Sequence, residues 1–155
     1  MNNIQVTLVE AFNRAMETLA FVSILPEQRD CACPADPVLI RIAFAGSSVG
    51  AFEMVAGKSL GMVLAKNLMA VDPDASEAGP TLALAEDALR EISNVTCGLL
   101  LNRSARDGRP PAELGLPVLE SMDAVSGWHE FTSRPDSLVF TAESHPVAIC
   151  IRGAL

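Results

Sequence analysis

The first regular feature of the chain is an apolar stripe. Leu8, Phe12, Ala15, Leu19 and Val22 recur at spacings of four and three, the period of a helix with one face on a core. The pattern predicts a helix over residues 5–25, closed by Pro26. Residues 27–37 hold four charges and two further prolines, and are expected to loop. The run 38–45 (VLIRIAFA) is short, bulky and apolar, and predicts a strand. Gly46-Ser-Ser-Val-Gly50 makes a hairpin turn, and 51–56 (AFEMVA) returns as the second strand. A helix over 58–70 follows, with Leu60, Val63, Leu64 and Leu68 on one side.

Residues 71–80 (VDPDASEAGP) are the clearest break in the chain. A second long helix is expected over 81–102, then a loop over 103–117, then short strands at 117–120, around 128–132, at 137–142 and at 147–152. The last two form a hairpin around Glu143-Ser-His-Pro146. Each half, about 1–72 and 80–155, therefore opens with a long helix and ends in strands. Two long helices on a mixed, mainly antiparallel sheet, one two-layer α/β domain over 1–155, is the natural way to bury these faces.

Composition narrows the function. The chain has 155 residues, half of them hydrophobic, and a net charge of −8. An acidic surface repels phosphate backbones and anionic lipid, which disfavours a nucleic-acid or membrane-surface binder. No apolar run is long enough to span a bilayer, and the N-terminus lacks the basic opening of a signal peptide, so a cytoplasmic location is expected. Cys31, Cys33, Cys97 and Cys150 are then expected as free thiols. The Cys31–Cys33 pair beside Asp30 and Asp36 has no second pair to complete a metal set, and no metal site is expected. His129 and His145 lack a nucleophile elbow to work with, and the glycine-rich 46–50 turn lacks a Walker lysine. The Arg103, Arg106 and Arg109 cluster is local to a loop. Met16, Met54, Met62 and Met69 are expected in the core.

The informative segment is the second long helix. At 100° per residue, Asp87, Glu91, Asn94 and Gly98 fall within about a 60° sector, while Ala85, Leu89, Ile92, Thr96, Leu99 and Leu100 lie opposite. A polar face on an exposed helix is ordinary. A mid-helix Asn is not, because its side chain competes for backbone hydrogen bonds. Gly98 costs about 1 kcal/mol of helix propensity against Ala, and would let another backbone come close.

The pattern Asp87-x-x-x-Glu91-x-x-Asn94, then 22 residues, then Pro117, resembles the signature of the CheC/CheX/FliY chemotaxis phosphatases. The run 91–98, the opening helix around residues 13–21 and the Phe44-x-Gly46 hairpin are similar as well. The resemblance implies a pseudo-duplicated CheC-like fold, a homodimer, and hydrolysis of the phosphoaspartate of a CheY-type receiver domain. In it Asn94 orients the attacking water, Glu91 pairs with a lysine of the receiver, Asp87 supports the contact, and Pro117 shapes the adjoining loop. Mg2+ is expected on the phosphorylated partner, with no cofactor of this chain's own. Members with two sites repeat the motif on the first helix. Here Glu17 is followed by Ala20 where Asn would stand, and Glu10 with Asn13 lacks the upstream acid or serine and the downstream proline. One site is expected, as in CheX-like members. The alternatives are a module that docks a receiver without turnover, and an unrelated scaffold.

Overall fold

The structure, a computed structural model, describes residues 1–68, 80–105, 110 and 112–154. The expected break at 71–80 falls almost wholly outside these, as do Met69, Arg106 and Arg109. The elements in order are α1 (Asn3–Ala20), β1 (Ile24–Pro26), β2 (Pro37–Ala45), β3 (Val49–Gly57), α2 (Lys58–Leu68), α3 (Leu82–Ser104), β4 (Glu113–Leu114), β5 (Val118–Ser121), α4 (Ser126–Thr132), β6 (Leu138–Ala142) and β7 (His145–Ala154).

The seven strands among the described residues form one sheet in the order β1-β6-β7-β3-β2-β4, with β5 also on β2, and every described pairing is antiparallel. Its centre is the β3·β7 ladder, in which Met54 faces Ile149 and Ala56 faces Val147. On either side of that ladder the order repeats, β7-β6-β1 against β3-β2-β5. Each set mixes strands from the two halves of the chain, β1 lying with β6 and β7, and β5 with β2 and β3.

Strand alternation builds two cores. Val38, Ile40, Ile42 and Phe44 of β2, Phe52 and Met54 of β3, and Val147 and Ile149 of β7 point to one face. They pack there with Leu8, Phe12 and Met16 of α1, Leu60 and Leu64 of α2, and Leu89, Ile92 and Leu100 of α3. Leu39, Val55, Val139, Ala148 and Cys150 point to the other face, against Trp128 and Phe131 of α4, with Cys31 and Cys33 beside them. The two-layer sandwich holds. Its helical layer has a third member, α2, and its back carries a small cap.

Two sequence expectations are corrected. The first helix stops at Ala20, not at Pro26. Phe21 takes a left-handed conformation (φ 55°) and its N–H returns to the Met16 carbonyl. Val22 is buried, as its place in the apolar stripe requires, but in the turn and not in the helix. Leu25, mostly exposed, sits in edge strand β1, which pairs with β6. Residues 126–132 are helical, not extended. Trp128, Phe131 and Thr132 bury at helical spacing, and the Asp123 carboxylate accepts hydrogen bonds from the Val125 and Ser126 N–H groups, at 3.1 and 2.8 Å. Trp and Phe favour strands in general, and the Asx-type start overrides that preference here. The last strand, β7, is paired on both sides, to β3 and β6, so it offers no free backbone for strand addition.

The close helix contact lies elsewhere than expected. At Gly61 of α2 an added Cβ would stand 2.6 Å from the Ala85 carbonyl oxygen of α3, so two backbones meet there. At Gly98 the nearest atom would be Leu114 Cδ1 at 4.0 Å, an ordinary contact. Among the described residues, no other backbone comes close to Gly98.

Candidate functional site

The α3 helix starts at Thr81, whose hydroxyl accepts a hydrogen bond from the Leu84 N–H at 3.3 Å. Ala85, Leu89, Ile92, Thr96 and Leu100 are fully buried, as their spacing predicts. Ser93 and Thr96 are buried as well, and satisfy their hydroxyls on the Leu89 and Ile92 carbonyls at 2.9 and 2.7 Å. With that side pinned, Asp87 and Glu91 are exposed, and Asn94 and Gly98 are partly buried.

Asp87, Arg90, Glu91 and Asn94 form one wall of an open groove of about 500 Å3, and Leu114, Gly115, Leu116 and Pro117 form the other. Four of the five sequence-predicted residues are thus brought together. Gly98 lies further along α3, against Leu114.

The opposite wall has a specific cause. Both β4 and β5 pair with the same edge of β2, Leu114 with Phe44 and Val118 with Arg41. Between these pairs Ile42 and Ala43 of β2 face Gly115, Leu116 and Pro117, so one residue is extra. This is a β-bulge, a device that bends an edge and re-aims side chains. The Gly115 N–H donates to the Ala43 carbonyl at 2.7 Å, where a Cβ would stand 3.2 Å from that same oxygen. Pro117 has no N–H to give and ends the local pairing. In a regular strand Leu116 and Pro117 would point to opposite faces; both line the groove.

The polar wall is not uniformly acidic. Arg90, absent from the sequence-predicted set, pairs with Asp87 (2.9 Å) and with Glu86 (3.7 Å), and Lys58 reaches Glu86 at 3.6 Å. Its position three residues after Asp87 and four after Glu86 makes both pairs available on one helix face, but such spacings are too common on exposed helices to mark a site. Among the described residues, Glu91 makes no ion pair or side-chain hydrogen bond, and the Asn94 amide is equally unengaged. One free carboxylate and one free amide, a helical turn apart, therefore face the groove.

The first helix differs. Ala20 is fully buried, and its carbonyl accepts a hydrogen bond from Asn67 Nδ2 at 2.8 Å. Glu10 is exposed but engaged by Arg103 of α3, and Asn13 is partly buried.

Other candidate groups are accounted for structurally. His145 Nδ1 lies 3.3 Å from Ser59 Oγ, and His129 is exposed on α4. Burial pushes the Cys97 and Cys150 thiols up to about 12, and burial also raises Cys31 and Cys33. All four are free thiols. Among the described residues no cluster of His, Cys, Asp or Glu suits a metal ion, and no helix is long and apolar enough to cross a membrane.

The architecture is an antiparallel sheet under a helical layer that presents a Glu-x-x-Asn face opposite a proline-ended bulge. No family model matches the sequence. No curated protein matches it either. Solved structures do. Chemotaxis protein CheX from Vibrio vulnificus superposes with a TM-score of 0.67 at 16% identity, over 97% of each chain. The CheX–CheY–BeF3–Mg2+ complex from Borrelia burgdorferi matches with a TM-score of 0.65 at 13% identity, over 95% of this chain and 96% of that one. A CheC-like superfamily protein from a Shewanella species matches with a TM-score of 0.60 at 13% identity, over 99% and 100%. The chain has the fold of the CheX and CheC-like chemotaxis proteins, as the resemblance implied.

Proposed function

We propose that this protein acts in chemotaxis or two-component signalling by hydrolysing the phosphoaspartate of a CheY-type receiver domain. The observation that carries the reading is the free Glu91–Asn94 pair on α3, set in a groove that Pro117 helps to close. One of its structural neighbours is a CheX in complex with CheY, which supports a receiver as the partner.

The chemistry suits the residues. A phosphoaspartate is an acyl phosphate. Water attacks phosphorus, the bond from phosphorus to the acyl oxygen breaks, aspartate leaves as carboxylate, and the two protons of the water end on inorganic phosphate as dihydrogen phosphate, which shares the second with solvent at neutral pH. Such a reaction asks mainly for positioning and charge stabilisation. The neutral Asn94 amide holds water in line without repelling the phosphoryl oxygens. Glu91 pairs with a cationic lysine of the receiver and sets the register of docking. Mg2+ on the receiver would neutralise phosphoryl charge, and this chain supplies no cofactor. Asp87 acts through Arg90, holding it along the groove. The homodimer implied by the resemblance is proposed on the same footing, using surfaces other than β7.

Phosphate release from a phosphorylated receiver is the test. Asn94→Ala should lower accelerated release by about 100-fold or more while binding stays within a few fold, because only water positioning is lost. Glu91→Ala should weaken both. An Asn94→Ala protein that folds by circular dichroism and keeps full activity would sink the mechanism.

A further inference from the structure

The bulge wall carries an inference of its own. Leu116 is 87% exposed, Val118 54% and Leu114 38%. A single exposed leucine needs no explanation, but three aliphatic side chains within five positions, beside a polar groove, mark an interaction surface. Their exposure is also built, not incidental. The Gly115 N–H is tied to Ala43, Leu114 is paired to Phe44 and Val118 to Arg41, and the extra residue between them holds Leu116 out. A mobile loop would have been free to fold that side chain back onto α3. Bulges concentrate beside active sites because they re-aim side chains in this way.

The occupant follows from the groove. Leu114, Leu116 and Pro117 line the same opening as Glu91 and Asn94, so whatever brings a reacting group to Asn94 must also rest against Leu116. A second copy of this chain fits poorly. A two-fold contact sets a patch against itself and would bring the unpaired Glu91 carboxylates of two acidic chains together.

We propose that the Gly115–Leu116–Pro117 bulge is a docking lip for the receiver domain: Leu116, flanked by Leu114 and Val118, seats an exposed apolar side chain beside the receiver's phosphorylation site. The lip thereby selects the partner, while Glu91 and Asn94 act on it. This rests on the reading of the groove as a receiver phosphatase site. It adds that affinity is set on the strand side and chemistry on the helix side, in a groove where each can be altered separately.

Phosphate release is measured at varied concentrations of a phosphorylated CheY-type receiver for wild type, Leu116→Asp, Leu116→Ala and Leu116→Met. Losing the burial of one leucine should raise KM roughly tenfold to hundredfold in Leu116→Asp and less in Leu116→Ala. Leu116→Met should restore it, and kcat should stay within about twofold throughout. Because the side chain is exposed, the variants fold, which circular dichroism checks. Light scattering on the same samples should give one mass for all four. Unchanged KM in an active Leu116→Asp overturns the lip and leaves the phosphatase reading standing. A loss confined to kcat overturns the lip too, placing Leu116 in the chemistry. A mass that falls in Leu116→Asp overturns it in favour of a contact between copies. Wild type that releases no phosphate from any receiver of its own cell overturns the phosphatase reading, and the lip with it.

Discussion

At the scale of single residues, Asp87 shows how a spacing acquires a different meaning once partners are seen. Placed beside Glu91 and Asn94 on one helical face, it looks like part of an acidic stripe. In the structure its carboxylate accepts a hydrogen bond from Arg90 at 2.9 Å, so the charge left for a partner is that of Glu91. Exposed ion pairs of this kind contribute about 0–1 kcal/mol to stability. Asp87→Ala is therefore expected to leave urea unfolding within about 0.5 kcal/mol of wild type and to release Arg90 from one of its two carboxylates. The expected functional effect is a few-fold rise in KM, with Asp87→Ser, which can still accept a hydrogen bond from the guanidinium, recovering most of it. A loss of kcat comparable with that of Asn94→Ala would instead place Asp87 in the chemistry. Glu91 and Asn94 were legible in the sequence because a mid-helix Asn at a motif spacing is unusual. Arg90 and Leu116 were not, because an i,i+4 ion pair and an exposed leucine are both common features whose value appears only when the two walls of the groove are placed together.

At the scale of elements, the strands with bulky alternating residues and the long helices came through in the sequence, and the failures share a cause. Residues 126–132 contain Trp128, Phe131 and Thr132, types that favour strands, yet α4 has to cover the back of the sheet with helical spacing. The end of α1 was missed because Val22 prolongs the apolar stripe past the left-handed Phe21. In both places tertiary burial decided the backbone. Nothing in local sequence marked Gly61, whose meaning depends on α3 lying across it. That contact yields a prediction. Gly→Ala in an exposed helix should stabilise by about 1 kcal/mol. At Gly61 the new Cβ would meet the Ala85 carbonyl oxygen at 2.6 Å, a backbone atom that can retreat only if α2 and α3 separate. Such overpacking costs about 1–3 kcal/mol, so it outweighs the propensity gain. Gly61→Ala should lower the urea midpoint, whereas Gly98→Ala, with open space around it, should raise it. A stabilised Gly61→Ala would show that the two helices part easily, and that α3 is less rigid than a positioning element requires.

At the scale of the whole molecule, the back of the sheet is held by one buried charge. Glu53 of β3 is 1% exposed. It accepts from Arg41 of β2 and from Arg134 just beyond α4, each at 2.8 Å, with Arg152 of β7 at 3.7 Å and the Cys150 thiol at 3.6 Å. Burial alone would push this carboxyl up, but the hydrogen bond from Arg41 and the charges of Arg41, Arg134 and Arg152 hold it below its ordinary value of 4.5. A carboxylate whose folded pKa lies below its unfolded one stabilises the fold above the unfolded pKa, and that stabilisation disappears as pH falls through the folded pKa. Removing one partner of a buried pair costs about 3–5 kcal/mol when the whole set is dry. Here the arginines are partly solvated, and about 2–3 kcal/mol is the expected loss for Glu53→Gln at neutral pH. The chain carries a net charge of −8, so mild acid also relieves general self-repulsion and hides the local effect in wild type alone. Comparing wild type with Glu53→Gln cancels that shared term. The difference in unfolding free energy between them should be constant from about pH 8 down to the unfolded carboxylate range, and should shrink as acid protonates Glu53 in the folded protein. A gap that stays the same in strong acid would mean that the glutamate acts through shape and packing, and that its charge does not tie β2, β3, β7 and the α4 cap into one unit.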